Sequence, residues 1–226
     1  MKRFVKSSPL GAIGRNIRPR MRSKILRMSL IHLRRVFLFV ATATVVSATT
    51  VVAPTFPELV AEADCIVRGT VTAVEVRAVS TPGGSVIRTF VTIAVEECVK
   101  GSAPQELTLT LAGGRLGQKG ALVAGMPEFK IGDREILFVQ GNGRLFCPLV
   151  GFYHGRYRVL TDTATGRDHV ARNNRTPLTA TTEVGLPMLD PARLPALSRP
   201  VAAALTPAAF LAQVRAQQIP AHAILR

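Results

Sequence analysis

The chain has 226 residues, 47% of them hydrophobic, with 18 Gly, 15 Pro, two Tyr, no Trp and a formal net charge of +15. Residues 1–48 hold 11 of the 29 Lys and Arg and none of the 14 Asp and Glu, so residues 49–226 carry 18 basic against 14 acidic side chains, a net of +4. That balance is ordinary for a soluble domain and excludes the whole-chain charge as a nucleic-acid footprint.

The first segment is basic up to Arg34-Arg35, then uncharged over 36–46, and ends in Val46-Ser47-Ala48. A positive stretch, a short apolar stretch and a small-residue cleavage site form the layout of a secretory signal peptide. It predicts an exported domain, periplasmic or secreted, that begins near Thr49. Two further readings stay open. Arg34-Arg35-Val36-Phe37-Leu38 has the core of a twin-arginine signal, although Leu33 stands where Ser or Thr usually precedes the pair. Residues 36–53 are also about long enough for an uncleaved anchor, the only membrane contact the sequence offers. Met21 and Met28, inside the basic stretch, are alternative starts.

Residues 49–175 are rich in Val, Thr and Leu and are punctuated by Gly and Pro, the composition of a small all-β domain. A short helix is expected over 55–63, with Pro57 in its first turn, Glu58 at its positive end and Leu59, Val60 and Ala63 as its apolar edge. Two long strands follow over 66–79 and 85–99, with apolar residues at period two and Thr81-Pro82-Gly83-Gly84 as the turn. The apolar phase switches between Val71 and Val74, which predicts a bulge. Further strands are expected over 106–111, 134–140, 144–150 and 156–160, with Gly141-Asn142-Gly143 and 162–166 as turns. Together they predict a small, partly open barrel of about five or six strands. Residues 176–205 read as a Pro/Ala-rich linker. Residues 206–219 read as a C-terminal helix with Thr206 as N-cap, Pro207 in its first position and Phe210, Leu211 and Val214 on its apolar edge.

Cys65, Cys98 and Cys147 form no Cys-x-x-Cys pair, and their odd count leaves at least one thiol unpaired within the chain. Cys65 and Cys98 fall near the outer ends of the first hairpin, so a disulfide between them and two buried free thiols are both open, with strand register deciding. The cysteines and His154, His169 and His222 follow no metal-ligand spacing.

The stretch 64–155 resembles a family of exported bacterial proteins of uncharacterised activity. The matching residues are Gly69 and Val71; Thr89, Val95, Lys100 and Gly101; the pair Gly113 and Gly114; the box Gly125, Pro127, Phe129 and Gly132; Leu137 and Phe138; and Gly151 and Gly155. Asp133 stands where that family often has Glu. The resemblance implies export and a β-barrel, with Gly69, Lys100, Gly101, Gly113, Gly114, Gly125, Pro127 and Gly132 in structural roles. More distantly, the layout is similar to the OB-fold barrel and its netrin-like, metalloprotease-inhibitor branch. The Cys-x-Cys with which those inhibitors grip zinc has no counterpart here, so only the fold analogy transfers.

No Gly-x-Ser-x-Gly, His-Glu-x-x-His or P-loop occurs. Asp133 and Glu135 are two apart and share a strand face, which reads as solvated strand-edge charge rather than a catalytic pair. His154 stands near a turn and is given no catalytic role. The expectation is therefore a non-catalytic binding domain without cofactor, metal or nucleic acid. Its partner is a protein at the envelope or outside the cell, with a glycan or small ligand as the alternative and a hydrolase with an unrecognised site as a third reading. Long glycine-bearing connections between strands tend to carry binding residues, which points to residues 113–130 with Arg115, Lys119 and Phe129 as contacts, although Phe129, just after Pro127, reads as a core plug rather than a stacking platform.

Overall fold

The computed structural model describes residues 53–188 and 200–218. The basic and apolar segment over 1–48, and with it the expected export signal, lies outside the described residues.

Helix α1, Phe56–Glu62, opens on a complete capping box: Glu58 N–H donates to Thr55 Oγ1, and Thr55 N–H donates to the Glu58 carboxylate at 2.8 Å. Strands β1 (Cys65–Thr81) and β2 (Gly84–Lys100) follow, each of 17 residues, joined through Pro82-Gly83. They pair antiparallel from Thr81↔Gly84 to Ile66↔Lys100, with a register shift between Val71 and Ala73 where the change of apolar phase predicts one. Strand β3 is Glu106–Ala112. A small hairpin, β4 (Gly114–Leu116) and β5 (Lys119–Ala121), forms its own two-stranded sheet. Strands β6 (Arg134–Val139), β7 (Arg156–Thr161) and β8 (Asp168–Arg172) and helix α2 (Pro207–Gln218) complete the order.

The molecule is mostly β. Its main sheet is antiparallel and six-stranded, in the order β3-β2-β1-β6-β7-β8. It does not close into a barrel, because β3 and β8 remain its two ends and do not pair. The inner half of β1 is buried on both faces, so consecutive residues enter different cores. Ile66 packs with Phe138, Tyr157 and the helix residues Leu59, Val60, Phe210, Leu211 and Val214. Val67 packs with Val91, Ile93, Leu109, Leu137 and Phe129 on the opposite face. Both helices cover the first face, and the 122–152 connections cover the second.

Three expectations need correction. Residues 144–150 form turns with a single bridge, Val139↔Leu149, and no strand. Their backbone serves β3 instead: Ala112 N–H donates to Phe146 O at 2.7 Å, while Asn142 accepts from Thr110 N–H and donates to Thr108 O. The stretch 168–172 is a strand that its charged residues hid. The stretch read as linker packs closely where it is described. Leu178 and Val184 are buried, Leu178 N–H donates to Val170 O, and Val170 N–H donates to Leu205 O, which covers the outer edge of β8. An uncovered strand edge is a template for unwanted pairing, and both ends of this sheet are blunted.

Candidate functional site

The connection from β3 to β6, residues 113–133, carries the residues singled out as a binding surface. It begins at the double glycine. Gly113 N–H donates to Ile87 O at 2.9 Å, and the Thr89 hydroxyl donates to Gly113 O at 2.8 Å, so the chain is fastened to β2 as it leaves the sheet. Gly114 then turns onto the sheet face at φ +133°, where a Cβ would come within 2.5 Å of Thr89 Oγ1 and 2.8 Å of Val76 Cγ1. Only glycine combines that conformation with that approach.

The β4–β5 hairpin pairs Arg115 with Gly120 and Leu116 with Lys119. Facing residues share a side of the ribbon and neighbours alternate, so Arg115 and Lys119 project from opposite sides. Both are exposed, but they do not form one cationic patch. The return segment crosses the sheet face and leaves an open cleft of about 260 Å³, lined by Val74, Leu111, Val123, Met126 and Phe129 among others. Leu122 stands on its wall and is 94% exposed. Gly125 and Pro127 lie in this crossing, and Gly132 anchors its end by donating to Val71 O at 2.8 Å.

Phe129 is not a surface contact. It is 8% exposed, and the Arg156 guanidinium lies 4.0 Å from its ring centroid. Arg156 is itself buried, and every side of its fork is used. Its Nη2 and Nε donate to the two oxygens of Glu135 at 2.6 and 3.2 Å, Nη2 also donates to Asp133 at 3.1 Å, and Nη1 donates to Glu128 O and to Asn173. Glu135 is fully buried, and burial pushes its carboxyl above the usual range against the pull of Arg156. The reading of Asp133 and Glu135 as solvated charges is therefore wrong for Glu135, and Asp133 precedes β6 rather than lying in it. Sequence reasoning missed Arg156 because it lies 21 residues from Glu135.

The other motif residues serve the frame. Lys100 Nζ donates to the carbonyls of Val60, Ala61 and Ala63 at 2.6–2.8 Å, filling the open acceptors at the end of α1. Gly101 follows at φ +70°, where a Cβ would overlap the Asp64 carbonyl. Gly69 lies in β1 at a second register shift. Register sets Cys98 opposite Val67 rather than Cys65, and all three cysteines are free thiols, Cys65 and Cys147 buried but Cys98 exposed, so the expectation of a buried thiol fails for Cys98. Burial raises the Cys147 thiol to about 11. His154 is buried, with Nδ1 at 3.1 Å from Val184 O, and burial lowers its pKa.

Among the described residues, no group of three or more His, Cys, Asp or Glu is placed to hold a metal ion, and no helix is long and apolar enough to cross a membrane. Comparisons with family profiles, with curated proteins and with solved structures gave no match.

Proposed function

We propose that the chain is an exported, non-catalytic binding domain that receives an apolar side chain of a partner protein in the cleft under residues 122–129. The observation that carries this reading is the cleft itself, open and lined by Val74, Leu111, Val123 and Met126, with Leu122 exposed on its wall. Its volume, about 260 Å³, falls just short of the roughly 300–1,000 Å³ typical of small-molecule sites, while a single side chain is far smaller. The segment from Gly113 to Pro127 has no acidic residue, and Arg115 and Lys119 flank the cleft from two sides of one hairpin. A partner segment with carboxylates around its apolar anchor is the matching chemistry. A glycan site would gain most from an open aromatic platform, and the ring at this cleft, Phe129, is covered by Arg156. Export rests on the layout of residues 1–48, and membership of the exported family rests on its motif residues.

The test is affinity capture by the wild-type protein from envelope and secreted fractions, beside Leu122→Asp and the double variant Arg115→Ala/Lys119→Ala, with quantitative mass spectrometry. One protein retained by the wild type and lost in both variants is the expected result. Identical retention by all three proteins overturns the assignment of this surface. A co-purified sugar or small molecule in place of a protein replaces the partner class.

A further inference from the structure

We propose that the outer half of β1 is a self-association edge, on which two copies of this chain pair antiparallel about Val76. The proposal is independent of the cleft reading.

The two long strands outrun the sheet. β1 pairs with β6 only from Cys65 to Thr70, and the last bonds on that side join Val71 to Gly132 and Asp133. From Val74 to Thr81, β1 pairs with β2 alone. The direction of its free backbone groups follows from the other side of the hairpin. Gly113 donates to Ile87 O, so the Ile87 backbone faces away from β1. Ile87 is opposite Ala78, and in an antiparallel pair the two members of such a non-bonded position both face outward. Ala78, Val76 and Val74 therefore point N–H and C=O away from β2. Among the described residues no backbone or side-chain bond to these groups occurs. The same chain covers the outer edges of β3 and β8, so this is a conspicuous opening.

The sequence along the opening is complementary to itself. With Val76 on a two-fold axis, Val76 faces the partner's Val76, and Val74 faces the partner's Ala78. Each facing pair exchanges both of its hydrogen bonds. Glu75 then lies opposite the partner's Arg77, and Arg77 opposite the partner's Glu75. These are the non-bonded positions, where side chains come closest. Arg77 and Glu75 lie 3.4 Å apart within one chain and are 59% and 60% exposed, so both charges are available to a second copy. Charged residues on an edge usually repel added strands. Here their alternation in sign makes the second copy a fitting strand, and no other part of the described chain offers it a free edge of this length.

Sedimentation equilibrium on the full chain tests this. The wild type is expected to dimerise, and Glu75→Arg or Arg77→Glu alone to weaken the dimer by about tenfold or more, because each change sets like charges opposite one another twice. An equimolar mixture of the two variants is expected to associate again. One variant then presents two positive charges along the edge and the other two negative, so opposite signs meet at both facing positions. Circular dichroism and melting temperature establish that both variants fold. A wild type that stays monomeric at its highest soluble concentration overturns the proposal. A dimer indifferent to both reversals, or single variants that fail to associate when mixed, overturns it equally.

Discussion

Arg156 has surrendered all of its water, and its position is tolerable only because carboxylates, a carbonyl and an amide replace that water. Removing Glu135 leaves the buried Arg156 with Asp133 as its one remaining carboxylate among the described residues. Glu135→Gln is expected to cost about 3–5 kcal/mol in denaturant unfolding. The double replacement Glu135→Leu/Arg156→Met is expected to recover most of the loss, since burying neither charge avoids the desolvation of both. A milder pair lies at the sheet end. Arg134 grips Asp168 in two bonds of 2.7 and 2.8 Å, Thr161 adds a third, and these hold the Asp168 carboxyl down at about 2. A depressed acid stabilises the fold above its ordinary pKa of 3.8 and loses that contribution as pH falls through about 2. Both side chains are 38% exposed, so screening keeps the effect small. Asp168→Asn is expected to lower Tm by roughly 1–3 °C at pH 6, with the gap to wild type closing by about pH 2.

At the scale of elements, α1 shows how a distant side chain completes a helix. Seven residues are too few to be stable alone, and the capping box secures only the first turn. Phe56, Leu59 and Val60 supply the apolar face, and Lys100 supplies the missing donors at the other end. Lys100→Met keeps the stem and removes those donors. It is expected to cost about 1–3 kcal/mol and to abolish amide-exchange protection in α1 while β2 and β3 keep theirs. An unchanged α1 would mean that water replaces the lysine fully.

For the molecule as a whole, regular alternation made β1, β2, β3, β6 and β7 legible, Pro57 and Glu58 marked the first helix and Thr206-Pro207 the second, while the Thr55 cap of the first helix is seen only in the structure. Strand β8 was hidden because Asp168, His169 and Arg172 look like loop residues, and only the partners Arg134 and the 184–187 carbonyls explain the placement of Asp168 and Arg172. The 144–150 stretch alternates like a strand, yet its neighbours need its backbone as an edge cover. The cleft was legible only as a long glycine-bearing connection. Phe129, just after Pro127, reads from sequence both as a core plug and as a contact, and the structure gives the core position, where Arg156 arrives from β7 to cover it. Closure of the sheet was equally out of reach: it depends on whether β3 meets β8, and Thr176, Leu178 and Leu205 occupy the β8 edge instead.

The three bonds from Lys100 also impose an order on assembly. α1 precedes in sequence the lysine that completes it by about 40 residues, the separation of Val60 and Lys100. A chain emerging from the ribosome, or threading through a pore, therefore presents residues 55–63 well before their far end can be satisfied. Until β2 has been made and laid against β1, this stretch has every reason to stay open and solvated. The earliest of the described elements to be synthesised is thus secured at its far end only once the second long strand has followed it.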